Sequence, residues 1–299
     1  MILFALEAFQ EMAAELGKSA QLTPGCFCAA RFENRELHLD LETTVCGETC
    51  FVLGSIAPPD EQLLSVLLLA HTLKKEGARR VTALLPYLAY ARDDKDKPGK
   101  SLATAWAGTL AQASGIDGVI TVDVHSERAK RLFPIPVLSL SPAELFAEAL
   151  QRYGLTGATM VAPDEGAIGR CEAVRKAAGS GSGKIAYFEK QRTAAGITHA
   201  GPIGAVGRQA VIVDDILDTG GTLLSACEKL RESGVEEITV MVTHGLFTGE
   251  RWKQLRRLGV KRIFCTDSVP LTAGVCSDDI ERLSITPLLA EELWASAKG

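Results

Sequence analysis

Apolar, strand-like runs alternate with helical patterns along this chain, and that alternation constrains the fold more than any other feature. Residues 63–76 and 223–232 have helical character, and a glycine follows each, Gly77 and Gly234, as is usual just past a helix C-terminus. The predicted strands are residues 81–85, 119–124, 160–162, 211–213 and 238–242. Strands that alternate with helices predict an α/β fold, in which a mainly parallel sheet is flanked by helices.

One helix–glycine–strand unit occurs twice, which indicates two similar α/β halves. LKKEGARRVTALL begins at residue 73 and LRESGVEEITVMV at residue 230. One constant offset aligns a leucine, a glycine and a threonine of the two segments: Leu73, Gly77, Thr82 and Leu230, Gly234, Thr239. A chain of 299 residues is long enough for two domains. We predict a boundary in the proline-punctuated stretch at 142–157, with domains at residues 1–145 and 146–299.

Composition excludes several classes of protein. The chain is 46% hydrophobic and 23% charged, as in globular proteins. Its net charge is −5, so it lacks the excess of basic residues that is typical of nucleic-acid-binding proteins. The longest apolar run, residues 63–73, is shorter than the roughly 20 residues that a membrane span needs. The N-terminus lacks the basic region of a signal peptide. We therefore expect a cytoplasmic protein that binds neither nucleic acid nor membrane.

Eight cysteines are present, four of them in one early stretch: Cys26, Cys28, Cys46 and Cys50. Structural zinc sites usually contain closer pairs of the CxxC type, which this chain lacks. A zinc site is the less favoured interpretation, and we expect plain buried thiols.

The segment VIVDDILDTGGTLLSA, residues 211–226, is the strongest candidate for a ligand site. Asp214 and Asp215 come at the predicted end of a strand, and ligands of open α/β sheets bind outside the carboxyl ends of strands. Residues 218–222, DTGGT, then lead into a helix whose free amides would bind an anion. Carboxylates repel phosphate but suit sugar hydroxyls or Mg²⁺, so this segment predicts a site for a phosphorylated sugar. The alternative is an ordinary turn with acidic helix caps.

Three other clusters are weaker as bare sequence. Asp164, Gly166 and Arg170 follow a short strand and suit a diphosphate loop, or else form a surface turn. His125 comes at the end of a predicted strand that places Asp123 on the same face, and it is either a ligand or structural. Lys190 and Arg192 would ordinarily be solvated surface charges.

Taken together, these segments resemble one family. VDDILDTGGT resembles the ribose-phosphate loop of proteins with the phosphoribosyltransferase fold. Five further segments resemble motifs of the ribose-phosphate diphosphokinase (phosphoribosyl pyrophosphate synthetase) family, in the family's order: RFENRE at 31–36, PYLAYARDDK at 86–95, VDVHSERAKRLFPIPV at 122–137, VAPDEGAIGR at 161–170 and FEKQR at 188–192.

The resemblance implies two phosphoribosyltransferase-like domains with the active site between them, and an oligomer, a dimer or larger, that completes the nucleotide pocket. The reaction would convert ATP and ribose 5-phosphate into phosphoribosyl pyrophosphate and AMP, with Mg²⁺ as cofactor. The implied catalytic residues are Lys190 and Arg192. The implied ATP-binding residues are Phe32, Asn34, Glu36, Arg92, Asp93 and His125. Ribose 5-phosphate would be bound by Asp214, Asp215, Asp218, Thr219, Gly220, Gly221 and Thr222. The pyrophosphate loop would comprise Asp164, Glu165, Gly166 and Arg170, with His125 and Asp164 at the metal.

The chain departs from the family pattern near the nucleotide. Asp93 stands where the family has glutamine, and PGKSLATA at 98–105 replaces RAPISAK. Two alternative functions therefore stay open: a non-catalytic homologue that regulates a true synthetase, and a transferase that consumes phosphoribosyl pyrophosphate. Lys190 and Arg192 favour the synthetase over both.

Overall fold

The computed structural model describes residues 1–179, 185–193, 196–271, 275 and 280–298, and for residues 190–193, 196–199 and 296–298 it describes the backbone alone. Contacts divide the chain into two compact units: Met1–Leu140 with Thr286–Gly299, and Ser141–Ile285. Within these residues, no helix combines the length and the apolar character that a membrane span requires.

The first unit contains a six-stranded, wholly parallel sheet in the order β2-β1-β5-β6-β7-β8. A separate antiparallel hairpin, β3–β4, lies between β2 and β5 in the chain. The strands are β1 Ile2–Ala5, β2 Thr23–Pro24, β3 Phe27–Arg31, β4 Leu37–Leu41, β5 Thr49–Leu53, β6 Arg80–Leu84, β7 Gly118–Val122 and β8 Val137–Leu140. The helices are α1 Gln10–Ser19, α2 Glu61–Lys75, α3 Ala103–Ala113 and α4 Glu127–Leu132, with a 3₁₀ turn at Glu7–Phe9.

The second unit repeats this plan. Its parallel sheet has the order β10-β9-β13-β14-β15-β16, and an antiparallel ribbon, β11–β12, lies between β10 and β13 in the chain. The strands are β9 Thr159–Ala162, β10 Ile185–Tyr187, β11 Lys190–Thr193, β12 Gly196–His199, β13 Gln209–Leu217, β14 Glu237–Gly245, β15 Val260–Thr266 and β16 Glu281–Leu283. The helices are α5 Ala143–Arg152, α6 Ile168–Ala177 and α7 Gly221–Glu232, with 3₁₀ segments at Glu165–Ala167 and Arg251–Leu258. The matching order confirms the prediction of two similar α/β halves.

Both faces of the second sheet are covered, which explains why its strands are continuously apolar. Ile212 and Val240 belong to the core cluster that contains α7 side chains. Val211 and Met241 point to the other face and belong to a cluster with side chains of α5 and α6. A strand that is buried on both faces has no polar alternation, as in other parallel sheets.

The last helix, α8 (Thr286–Lys298), packs against α1 in the first unit, just as α5 packs against α6 in the second. Leu289 and Leu293 of this helix are fully buried. The predicted division at residues 145 and 146 falls inside α5, whereas the contacts change units between Leu140 and Ser141. The predicted domains place α8 in the second half because it follows that half in the chain. Its packing partner, α1, lies at the other end of the sequence, so no local pattern indicates the contact.

The cysteine prediction is right for four thiols and wrong for three. Cys50, Cys171, Cys227 and Cys265 are buried, and burial raises the pKa of Cys171 to about 12. Cys26, Cys28 and Cys46 are exposed, the first two because their segment forms the hairpin outside the sheet. Cys276 lies outside the described residues.

We expect Leu293→Ala to lower the free energy of unfolding by about 2–5 kcal/mol, because it leaves a cavity beneath α8. Glu291→Ala, at an exposed position of the same helix, should stay within about 0.5 kcal/mol of the wild type. Denaturant unfolding followed by circular dichroism measures both. Equal stability of the two variants would contradict the packing of α8.

Candidate active site

The second sheet changes direction between β9 and β13, and this point defines a crevice. From β9 the chain passes through α6 to β10 on one side, whereas β13 pairs with β9 on the other side. In open α/β sheets, ligands bind at such a switch point, outside the carboxyl ends of the strands. The segment that follows β9 and the segment at the end of β13 are both predicted from the sequence to bind a ligand.

The segment after β9 begins with Asp164, whose carboxylate caps the 3₁₀ turn at Glu165–Ala167. Its Oδ1 accepts a hydrogen bond from the Ala167 amide at 3.2 Å. A Cβ at Gly166 would lie 3.2 Å from that same oxygen, so a larger residue there would crowd the carboxylate. Glu165 and Gly166 are exposed, and Arg170 lies in the first turn of α6.

Asp214 and Asp215 lie inside β13 rather than after its end, which corrects the predicted strand 211–213. The pairing with β14 continues to Leu217, opposite Gly245, and carries the two acids within the ladder. Asp215 is buried and Asp214 is partly buried. The Asp215 amide donates to Asp214 Oδ1 at 2.9 Å.

The acids of β13 and the loop after β9 converge. Arg170 Nη2 lies 3.6 Å from Asp215 Oδ2, with both side chains largely buried. Burial raises the pKa of Asp214 well above its ordinary value, the charges of Asp215 and Asp164 raise it further, and Arg170 opposes the shift. Two carboxylates and one guanidinium thus act on the carboxyl group of Asp214. Such an arrangement favours a ligand that brings hydroxyl donors or a hard cation.

The DTGGT loop, residues 218–222, turns β13 into α7. Gly220 has a φ of 85°, a left-handed conformation that glycine adopts without strain, and α7 begins at the next residue. The loop is anchored from outside, because the Leu246 and Phe247 amides donate to the Leu217 carbonyl and the Thr248 amide donates to the Asp218 carbonyl. The helix N-terminus is therefore held beside the carboxylates, with its first amides available to an anion.

Two aromatic residues support this loop, and no local sequence pattern indicates either of them. Trp252 is buried, and a Cβ at Gly220 would lie 2.9 Å from the Trp252 Cα. Phe247 packs against Trp252 with ring centroids 4.9 Å apart. A Cβ at Gly245 would meet the Phe247 ring at 2.3 Å, so this position also requires glycine. Only the folded structure connects LFTGERW to the loop, since no local pattern does.

In the first unit, His125 follows β7 in a turn. The strand ends at Val122 and Asp123 has a φ of 43°, so the predicted sharing of one strand face by Asp123 and His125 is wrong. His125 is exposed and directly precedes Ser126, which caps α4. The Ser126 hydroxyl donates to the buried Asp94 carboxylate at 2.6 Å. This bond connects the His125 turn to the segment that carries Arg92 and Asp93.

Asp93 has a structural role in this segment. Its carboxylate accepts hydrogen bonds from the Ser101 hydroxyl at 2.7 Å and from the Ala103 amide at 3.1 Å, at the start of α3. These bonds lower the pKa of Asp93. The acid that replaces the family's glutamine thus caps a helix, while the neighbouring Arg92 is exposed.

The turn of the β3–β4 hairpin carries Phe32, Asn34 and Glu36. Phe32 is 56% exposed and stacks on His38 with ring centroids 4.3 Å apart. The Asn34 Oδ1 accepts the Glu36 amide at 3.1 Å. More than half of the Phe32 side chain therefore stays accessible at this turn.

Lys190 and Arg192 lie in β11, opposite His199 and Ile197 of β12. Their backbone therefore belongs to an antiparallel ribbon. Their side chains lie outside the described part of the chain.

Comparisons with known proteins agree on one family. A sequence model described as the N-terminal domain of ribose phosphate pyrophosphokinase matches residues 1–115, and one described as the phosphoribosyl synthetase-associated domain matches residues 184–296. The ribose-phosphate pyrophosphokinase of Vibrio parahaemolyticus is 31% identical over 98% of this chain and 95% of its own length. This chain belongs to the ribose-phosphate pyrophosphokinase family. The Bacillus caldolyticus enzyme of that name is 30% identical over 97% of this chain and 93% of its own.

A solved member of the family has the same fold. The crystal structure of phosphoribosylpyrophosphate synthetase from Mycobacterium smegmatis matches 99% of this chain and 98% of that chain, with a TM-score of 0.87 and 28% identity. This match and the two parallel sheets confirm the predicted fold class, two phosphoribosyltransferase-like halves.

Of two neighbouring glycines in the loop, Gly220 should not tolerate alanine, whereas Gly221 should. Gly220→Ala forces a left-handed φ on alanine, which costs about 1–2 kcal/mol, and also meets the Trp252 backbone at 2.9 Å. In Gly221→Ala the nearest atoms stand at 3.8 and 4.0 Å, so we expect stability within about 0.5 kcal/mol of the wild type. Urea unfolding of the two variants tests this, and a stable Gly220→Ala protein would refute the loop geometry.

Asp214→Asn should stabilise the ligand-free enzyme near neutral pH. A carboxyl pKa raised by folding means that the folded state binds the extra proton, so stability falls as pH rises above the ordinary value of 3.8. Asparagine lacks the charge, so its advantage should be largest at neutral pH and should shrink toward pH 4.

Asp93→Asn provides the matched control with the opposite sign. The lowered pKa of Asp93 means that its stabilising effect is present above its ordinary value and is lost as pH falls. Thermal melts of both variants between pH 4 and pH 8 measure the two trends. A Tm gain for Asp214→Asn that does not change with pH would argue against buried charge as its cause.

Proposed function

We propose that this enzyme transfers the diphosphoryl group of ATP to the anomeric hydroxyl of ribose 5-phosphate, giving phosphoribosyl pyrophosphate and AMP, and that the site at β9 and β13 binds the sugar. One observation in this member of the family carries the proposal. Asp164, Arg170 and the two acids of β13 lie close together, beside the DTGGT loop from which α7 begins. The site offers acceptors for a polyol and donors for a phosphate on adjoining surfaces.

The sugar would lie along the end of β13. Asp214 and Asp215 present carboxylate oxygens that accept hydrogen bonds from ribose hydroxyls, and such bonds to a charged acceptor are stronger than neutral ones. The 5-phosphate would meet the first amides of α7 and the hydroxyls of Thr219 and Thr222, where the helix dipole favours negative charge. Asp218 is the first residue of the loop, and its carbonyl accepts a hydrogen bond from the Thr248 amide.

The nucleotide would be bound by residues of the first unit. Phe32 offers a ring face for adenine, Asn34 and Glu36 offer polar groups on the same turn, and Arg92 offers an exposed cation for the phosphates. Because the Asp93 carboxylate accepts bonds from Ser101 and Ala103, we assign it to positioning the Arg92 segment. We further propose a cytoplasmic homo-oligomer, a dimer or larger, in which the exposed Phe32 turn contributes to a partner subunit's pocket.

The donor set fits Mg²⁺. Within the described residues no three His, Cys, Asp or Glu side chains form a ready-made metal centre, but Mg²⁺ that arrives with phosphates needs only one or two carboxylates and keeps several waters. Asp164, which lies in the pyrophosphate loop with Glu165, Gly166 and Arg170, would hold the ion, and His125 would hold it from the nucleotide side. When bound, the ion neutralises charge on the phosphate oxygens.

In the reaction, the anomeric oxygen forms a bond to the β-phosphorus as the bond from that phosphorus to the bridging oxygen of AMP breaks. Phosphoryl-transfer enzymes act mainly by positioning and by stabilising charge. Arg170 can contact the diphosphate from α6, while Lys190 and Arg192 would stabilise the charge that develops during transfer.

An assay with purified protein, Mg²⁺, ATP and ribose 5-phosphate tests the proposal by measuring AMP over time. AMP that forms only with both substrates supports the synthetase. A protein that binds both substrates without forming AMP would be the non-catalytic homologue. Consumption of phosphoribosyl pyrophosphate in the presence of a base, without AMP formation, would indicate a transferase.

Lys190→Ala and Arg192→Ala should each lower kcat by about 10²–10³-fold and change both KM values little, because charges that act mainly in the transition state do not tighten ground-state binding. Gln191→Ala, between them on β11, is the matched control and should keep kcat within a few-fold. Steady-state kinetics with a thermal melt measures this. Near-normal kcat in both cation variants would exclude them from catalysis.

A further inference from the structure

One cation lies beside the DTGGT loop without belonging to it. A Cβ built on Gly221, the first residue of α7, would stand 3.8 Å from Arg251 Nη1 and 4.0 Å from Thr219 Oγ1. The guanidinium and the threonine hydroxyl therefore flank the same point of the helix N-terminus. The side chain of Arg251 is exposed, so it can meet a ligand that arrives from solvent.

The backbone around Arg251 is fixed against the loop. The Thr248 amide donates to the Asp218 carbonyl, and the Trp252 indole donates to the Gly249 carbonyl at 3.0 Å. Trp252 is buried beneath Gly220. Arg251 thus lies between Thr248 and Trp252, which both contact the loop. These two contacts limit how far the Arg251 side chain can lie from Gly221.

The charge of Arg251 is not used elsewhere in the described part of the chain, where its guanidinium has no ion pair and no hydrogen bond. The neighbouring Glu250 pairs with Lys253 at 2.5 Å. The loop itself carries one charged side chain, the acidic Asp218, and Asp214 and Asp215 lie just before it. A phosphate dianion placed at the first amides of α7 would therefore gain from an added cation.

We propose that Arg251 binds the 5-phosphate of the sugar substrate and determines specificity for a phosphorylated sugar. This proposal rests on the proposed function and adds a residue to its phosphate site. The planar guanidinium can donate two parallel hydrogen bonds to phosphate oxygens, which the DTGGT amides contact from the other side. The phosphate is remote from the reacting oxygen, so Arg251 would stabilise the ground and transition states equally and would act on KM.

Arg251→Ala tests the proposal, with Arg251→Lys as the conservative variant and Arg257→Ala as the matched control on the same 3₁₀ segment. We expect the KM for ribose 5-phosphate to rise about 10- to 100-fold in Arg251→Ala, the range of one charge-assisted contact, with kcat and the KM for ATP within a few-fold. Lysine should restore part of the affinity. Arg257→Ala should match the wild type in all three constants, and the melting temperatures should agree because both arginines are exposed.

Calorimetric titration with ribose 5-phosphate separates this proposal from the proposed function. If the wild type forms no AMP but Arg251→Ala binds the sugar phosphate 10- to 100-fold more weakly, the function fails and the assignment of Arg251 stands. If the wild type is active and Arg251→Ala keeps its affinity for ribose 5-phosphate, the assignment is overturned. A kcat loss without any change in affinity would also overturn it.

Discussion

Like charges held close together at the end of β13 are the constraint around which the second unit is organised. Burial and the neighbouring charges of Asp215 and Asp164 raise the pKa of Asp214 and so oppose its ionisation, whereas Arg170, paired with Asp215, opposes that shift. The ladder between β13 and β14 holds the two adjacent acids in place, because it continues past them to Leu217. Such an arrangement is unfavourable for an empty protein and favourable for one that binds hydroxyl groups and a cation, a common relation between stability and activity.

The two units share a sheet order, but only one carries this chemistry. The pairing of β5 with β6 corresponds to the pairing of β13 with β14. When the two pairs are aligned, Gly54 and Ser55 of the first unit occupy the positions of Asp214 and Asp215 in the second. The Ser55 hydroxyl accepts the Ala57 amide, a purely local role. The first unit instead carries candidate groups on its hairpin and on the turn that follows β7. A shared topology thus fixes where a site can form, whereas the residues at that place decide whether it does.

Much of the candidate site could be predicted from sequence because its residues are adjacent in the chain. The DTGGT loop and the pyrophosphate loop are each local strand–turn–helix segments, and glycine and acid at such turns have direct physical reasons. The positions of Phe247, Trp252 and Arg251 beside the loop could not be predicted, since they depend on hydrogen bonds and packing between segments that are apart in the chain. ATP binding by Asp93, which the family resemblance implies, stays a prediction. That its carboxylate accepts hydrogen bonds from Ser101 and from Ala103 at the start of α3 could not be predicted, because no local pattern indicates that pairing.

The sequence by itself determined the α/β class, the doubling of the unit, the family and the loops that carry the chemistry, because periodicity, glycine stops and short motifs are local properties. Tertiary structure alone decided that β13 extends through the acids, that Asp123 leaves its strand with a positive φ, and that α8 returns to pack on α1. It also decided which arginines lie beside the site. Arg170 pairs with Asp215, and Arg251 lies near Gly221 because the next residue, Trp252, packs against Gly220. These outcomes depend on burial and on hydrogen bonds between residues far apart in the chain, and such contacts exist only after the sheet has assembled.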